Sequence, residues 1–337
     1  MTQDLASIKV LELSSGENIF ECVSSLNAPV VIKGLVADWP VVHKSQLSNQ
    51  ELDGYLRQFN SDAPVQAFVG NAGTDSRISY TKDLSSTSFK QVQTKLAWVL
   101  DQIRDREEED SGPVCYMGST ALDYCLPGFS RENYLSHSDI DPSIRIWIGN
   151  RTKVAAHFDT LDNVACVCAG SRRFTLFPPD QLDNLYVGPI DFTPAGQAIS
   201  LVDVSNPNFD QYPRFAEALN HAQTAVLEPG DAIFIPSMWW HHVESLSNFN
   251  VLINYWWRES PLFMGAPHDA LLHAILSIRD LPQEQRDAWR GIFDHYVFNT
   301  QDNGLDHIPG DAKGVLGPLD EDAARKLRTL LRNKLNR

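Results

Sequence analysis

The chain has 337 residues, 43% of them hydrophobic and 21% charged, which supplies a sizeable core and excludes disorder over most of its length. Its 43 Asp and Glu against 28 Lys and Arg give a formal charge of −15. That field repels DNA, RNA and anionic lipid, so neither nucleic acid nor a membrane surface is the expected partner.

Residues 1–112 read as an α/β elaboration. Residues 29–35 have the apolar run of a buried strand closed by a turn, with residues 37–40 as the loop after it. Ser88 and Gln91 stand at capping-box spacing ahead of Val92, Leu96, Val99 and Leu100, which predicts a helical stripe. The charged run 104–110 reads as a solvated helix end and loop.

Residues 113–258 carry the strongest β signal. Short apolar runs at 144–148, 163–168, 173–177, 232–235 and 250–256 are separated by Gly, Pro, Asp and Asn turns, the pattern of a sandwich or barrel rather than of βαβ units. An insertion rich in Pro, Asn and Asp covers about 183–213 and leads to a short helical piece near 215–221. Residues 259–337 are predicted helical, with Leu271, Leu272, Ile275 and Ile278 on one stripe. Asp320 precedes a helix carrying Leu327, Leu330, Leu331 and Leu335 on one side. Such an appendage either covers an edge or forms a dimer contact.

The chemistry concentrates at His157-Phe-Asp159. On an extended strand, residues i and i+2 share a face, so an imidazole and a carboxylate can meet at one point. Two histidines and one carboxylate on one side of a metal leave the opposite positions open, as non-haem Fe(II) oxygenases require. The second histidine is sought in Trp239-Trp-His-His242, after the turn 228–231 and the strand 232–236. His241 shares a strand face with Trp239 and Val243, and His242 with Glu244, so His241 is the inward ligand and His242 a supporting or structural residue. Asp162 is a rival carboxylate, but its distance from His157 suits the start of a turn. Arg172 shares a strand face with Phe174 and Leu176 and is expected inward, with Arg173 outward.

These segments resemble the JmjC-type, cupin-like family of Fe(II)- and 2-oxoglutarate-dependent oxygenases, and look most like the branch containing the asparaginyl hydroxylase of hypoxia-inducible factor. Four segments carry the likeness: Pro29-Val-Val-Ile-Lys-Gly-Leu-Val-Ala-Asp-Trp-Pro40, His157-Phe-Asp-Thr-Leu-Asp-Asn163, Gly170-Ser-Arg-Arg-Phe-Thr-Leu-Phe-Pro-Pro179, and Pro229-Gly-Asp231 with Trp239-Trp-His-His-Val-Glu-Ser245. The resemblance implies a double-stranded β-helix (jelly roll) with Fe(II) held by His157, Asp159 and His241. It implies 2-oxoglutarate chelated to that iron, with its far carboxylate on Arg172, where the nearest branch has a Lys. Tyr116 matches the tyrosine that supports this carboxylate, and Asn163 and Asn254 match the amides near the iron-bound end. Val154 replaces a threonine of the branch and removes a donor.

The implied reaction is oxidative decarboxylation of 2-oxoglutarate by dioxygen, with hydroxylation of a C–H bond in a protein side chain or small molecule. Trp256, through its family match, and Trp239 are the candidates for a substrate gate. The Lys-to-Arg and Thr-to-Val departures motivate a rival, a cupin-fold protein that binds a metal or ligand without turnover. A zinc or manganese isomerase is a third reading. A homodimer through the C-terminal helices follows from their stripes and from the family pattern, whereas the basic residues near the C-terminus suit a helix dipole.

The first residues lack the basic start and apolar stretch of a secretory signal, and no run approaches the roughly 20 apolar residues of a spanning helix. The five cysteines, Cys22, Cys115, Cys125, Cys166 and Cys168, are too thinly spread for a disulfide framework. Cys166 and Cys168 would share a strand face as small buried hydrophobes. A cytoplasmic location with reduced thiols is expected.

Overall fold

Eight strands rich in Val, Ile and aromatic residues form two facing antiparallel layers. The chain enters one layer at Ser143–Gly149, crosses to the other at Lys153–His157, returns at Asp162–Ala169, and crosses again at Arg172–Phe177. After the insertion it continues through Gln223–Leu227, Ala232–Ile235, Trp240–Ser245 and Asn250–Trp257. Asp162–Ala169 pairs with both Ala232–Ile235 and Asn250–Trp257, and Trp240–Ser245 lies between Arg172–Phe177 and Lys153–His157. This winding is the jelly roll that the resemblance implies, and one form of the sandwich or barrel that the strand pattern predicts. The computed structural model describes residues 5–14, 16–70, 76–107, 113–137, 140–194, 196–299 and 305–336. They form two compact units, Met1–Trp257 and Arg258–Arg337.

Strand alternation decides which side chains meet where. From Asp162–Ala169, Ala165 and Val167 turn between the layers and join Phe174, Leu176, Ile233, Ile235, Val243 and Leu252. Val164, Cys166 and Cys168 turn the other way, into a second core with Leu52, Leu56, Leu96 and Val99. The two cysteines are thus buried hydrophobes on one face, and all five thiols are free. Preceding segments extend one layer to nine strands: Val30–Ile32 pairs with Ala232–Ile235 and with Lys9–Val10, and Cys115–Ala121, Pro64–Gly70 and Phe89–Lys95 extend the opposite edge, while Ala6–Ser7 and Arg77–Ile78 bring the other layer to six.

The capping box expected at Ser88 does not form. Phe89–Lys95 is a strand paired along its length with Pro64–Gly70, and the helix starts only at Leu96, running to Arg104 without a side-chain cap. The Ser88 hydroxyl instead donates to the carbonyls of Arg77 and Ser79 at 2.8 and 3.1 Å. Cross-strand pairing outweighs the local helix signal, while Leu96, Val99 and Leu100 do form the buried helical stripe. Of the charged run after this helix, residues 108–110 lie outside the described residues, as do residues 1–4 at the start of the chain.

The insertion closes over the outer side of the six-stranded layer, where Leu185, Val202, Phe215, Ala218 and Leu219 pack with Phe177 and Trp240. Its short helix is Phe215–Asn220. The second unit carries helices Pro267–Ser277, Gln283–Phe293 and Glu321–Leu335, the last capped by the Asp320 carboxylate accepting from the Ala323 N–H. Among the described residues, no helix is long and apolar enough to cross a membrane.

Candidate metal centre

Antiparallel pairing sets His241 directly opposite His157, with ring centroids 4.3 Å apart. The strand ends at His157, so Asp159 reaches the site from the connection between layers rather than from the extended strand expected from the sequence. Ligand atoms of His157, Asp159 and His241 all lie within 4.8 Å of one another, and the His241 Nε2 to Asp159 Oδ2 distance is 3.7 Å. Donors each about 2.0–2.2 Å from a shared ion sit roughly 3–4 Å apart, so the three residues fit one divalent metal.

The surroundings prepare both imidazoles for that role. His157 Nδ1 lies 2.9 Å from the Ala155 carbonyl, and His241 Nδ1 lies 3.0 Å from the Trp239 carbonyl. A carbonyl only accepts, so each Nδ1 donates to it and Nε2 is the nitrogen left to a metal. Burial, then the neighbouring His157, hold His241 well below the ordinary imidazole range. It therefore offers a metal its neutral form near neutral pH.

A cavity of about 510 Å³ opens from these ligands into the jelly roll, and Tyr116, Asn163, Arg172, Asn254 and Trp256 line it. Arg172 is 1% exposed, and its Nε and Nη2 have no protein partner. Burial pulls its guanidinium down, while Tyr116 and Cys168 favour the charged form. Burial pushes Tyr116 up to about 12 against the opposing pull of Arg172, so a cation and a neutral phenol face each other at neutral pH. Asn254 Nδ2 donates to Asn163 Oδ1 at 2.9 Å, and Asn254 Oδ1 is left without a partner. Val154 lines the same space with an apolar surface.

The remaining candidates separate. Trp256 lines the cavity, edge-on to Trp147 at 5.9 Å. Trp239 does not line it: the residue is buried in the core between the layers, and its indole N–H donates to the Asn27 carbonyl at 3.0 Å. His242 faces outward, with Nε2 3.5 Å from the Ser205 hydroxyl, and Arg173 pairs with Glu244 at 2.9 Å on that outer face. Asp162 opens a strand rather than a turn, and its Oδ1 accepts from the Ser237 N–H. The sequence reading missed Trp147, which stacks on Tyr116 at 5.9 Å and lines the cavity. The signal was present: Ile146 and Ile148 turn to one side of Ser143–Gly149, which leaves Trp147 on the other.

A jelly roll whose interior brings together two imidazoles and a carboxylate that could hold a metal, beside a buried cation without a counter-ion, defines a cupin-type protein. The chain belongs to the cupin-like domain family, whose model matches residues 16–263. It is 34% identical over 287 residues to lysine-specific demethylase JMJ31 of Arabidopsis thaliana, covering 75% of this chain and 50% of that protein. It is 25% identical over 292 residues to HSPB1-associated protein 1 of Homo sapiens, covering 81% and 57%. With tRNA wybutosine-synthesizing protein 5 of Gallus gallus it shares 32% identity over 148 residues, covering 40% and 43%. The chain spans about half the length of the curated relatives it matches.

Proposed function

We propose that this chain is an Fe(II)- and 2-oxoglutarate-dependent dioxygenase that hydroxylates a C–H bond of a protein side chain or small molecule. The observation that carries the reading is Arg172, a buried guanidinium with unpartnered N–H groups in the cavity that also holds the His157, Asp159 and His241 donors. A buried cation without a counter-ion calls for an anionic ligand.

Bound there, iron with 2-oxoglutarate supplies an oxidation in which dioxygen splits the co-substrate to succinate and carbon dioxide and converts a substrate C–H to C–OH. His157, Asp159 and His241 would hold the metal from one side and leave the other side to co-substrate and oxygen. Arg172 would pair its free donors with the far carboxylate, and the neutral Tyr116 hydroxyl would donate to the same group. Asn163 and Asn254 would orient the metal-bound end. Trp256 would shape the entrance and exclude water around the reacting carbon. One relative is named for lysine demethylation and another for tRNA wybutosine synthesis, and the −15 charge of this chain favours a protein or small molecule over RNA.

The test is succinate release from the iron-loaded protein across candidate peptides and small metabolites, with His157→Ala as the reference. Oxygen-dependent succinate that vanishes in the variant supports the reading. Iron held with no succinate from any candidate would leave a cupin-fold binding protein instead. A cytoplasmic setting belongs to the same proposal and is supported by the five free cysteines. So does a homodimer through the apolar stripes of Pro267–Ser277 and Glu321–Leu335. Truncation after Glu259 should turn a dimer into a monomer by light scattering, and an unchanged association state would rule that interface out.

A further inference from the structure

Two connections cross between the layers at the metal end of the jelly roll. Residues 158–161 leave the His157 strand and carry Asp159 before Asp162–Ala169 begins. Residues 236–239 leave Ala232–Ile235 and enter Trp240–Ser245 one residue ahead of His241. Asp159 therefore lies outside any strand, although the metal requires it at a fixed distance from His241.

Two hydrogen bonds tie these connections together. The Ser237 N–H donates to Asp162 Oδ1 at 2.9 Å, and the Met238 N–H donates to the Asp159 carbonyl at 2.8 Å. Met238 holds a φ of +69°, in the left-handed region that costs a non-glycine residue of order 1 kcal/mol. Its side chain is exposed, so packing does not impose that conformation. The Asp162 carboxylate is the side-chain anchor of this clasp, and it is not itself one of the grouped metal donors.

We propose that Asp162 is a positioning residue for the metal centre, pinning the 236–239 turn against the 158–161 connection and so setting the separation of Asp159 from His241. The inference rests on the metal-binding part of the function proposed above. Cobalt(II) is the probe, titrated calorimetrically into metal-free full-length protein, with His157→Ala marking the affinity that belongs to this site. Asp162→Ala should weaken cobalt binding by about 10–100-fold, the usual cost of losing a group that orients a ligand, while Asp162→Asn, which keeps an Oδ1 acceptor, should stay within about threefold. Should Asp162→Ala not fold, Asp162→Leu fills a similar volume without an acceptor and carries the same expectation.

Wild-type affinity in the folded Ala or Leu variant would overturn the proposal, as would equal losses in Ala and Asn. A Tm lowered without any change in cobalt affinity would do the same, since it marks a purely structural contact. Weak cobalt binding in Asp162→Ala, restored in Asp162→Asn, would uphold the inference even if the iron-loaded wild type released no succinate. That last result would remove only the oxygenase reading.

Discussion

The two faces of the six-stranded layer carry similar residues and treat them differently. On the outer face, under the insertion, Arg173 pairs with Glu244, Glu244 also accepts from the Ser205 hydroxyl, and the buried His242 lies beside that hydroxyl. On the inner face, one residue away in each strand, Arg172 and His241 point into a cavity, and Arg172 keeps two donor nitrogens without a protein partner. A protein that only needed a stable layer would have given the inner guanidinium a counter-ion as it did the outer one. The outer ion pair and hydroxyl satisfy one another and leave only His242 Nδ1 without a partner, whereas the inner face leaves a buried cation without a counter-ion. Adjacent residues of like chemistry thus separate by strand alternation into structural and functional sets.

The largest test of this contrast compares the neighbouring histidines. His241→Ala removes a donor atom and should reduce cobalt affinity by more than the roughly 10–100-fold that loss of an orienting group costs. His242→Ala should leave cobalt affinity within about threefold while lowering stability by about 1–3 kcal/mol, as a typical buried truncation does. Calorimetric titration alongside thermal unfolding separates the two. Equal effects on affinity would place both histidines in one functional unit and break the inside–outside division.

Arg172 sharpens the comparison because its two expected effects oppose each other. Arg172→Met should raise the Tm of the metal-free protein, since a buried cation without a counter-ion costs free energy that an apolar side chain does not. The same change should weaken 2-oxoglutarate binding to the cobalt-loaded protein by about 10–100-fold, the equivalent of one charge-assisted contact of 1.5–3 kcal/mol. A variant that lost both stability and binding would show Arg172 to be satisfied within the protein. It would remove the main support for an anionic co-substrate.

What was legible in the sequence followed from the same alternation. His241 inward and His242 outward, Arg172 inward and Arg173 outward, and the shared face of Cys166 and Cys168 all come from the two-residue period of strands that pair along their length. Asp159 shows where that rule stops, because the strand ends at His157 and the carboxylate is placed by a connection whose path depends on the distant Ser237 and Met238. Ser88 with Gln91 misled because a capping-box spacing says nothing about Pro64–Gly70, which recruits the following residues into a sheet. Trp239 misled in a different way: its neighbours suggested the cavity mouth, but Asn27, far away in the chain, claims its indole N–H. Tyr116, Asn163 and Asn254 came from family resemblance, and no local pattern would have brought those three strands to one cavity.

The smallest effect is expected on the outer face. The Arg173 side chain is 45% exposed, so solvent screens its pairing with Glu244, and Arg173→Met should cost no more than about 1 kcal/mol at neutral pH. Burial pushes the Glu244 carboxyl up, but the Ser205 hydroxyl, His242 and Arg173 outweigh it and hold the group below its ordinary range. A carboxylate depressed in this way contributes stability above its unfolded pKa and loses it as pH falls through the folded value. The difference in Tm between wild type and Arg173→Met should therefore be largest near pH 7 and shrink in acid, once the pH has fallen below the ordinary carboxylate range and Glu244 takes up its proton. Affinity for 2-oxoglutarate should not change. A difference in Tm that stayed constant after Glu244 had taken up its proton would show that Arg173 acts through packing of its aliphatic stem, and the Glu244 carboxylate would then be held by Ser205 and His242 rather than by an ion pair.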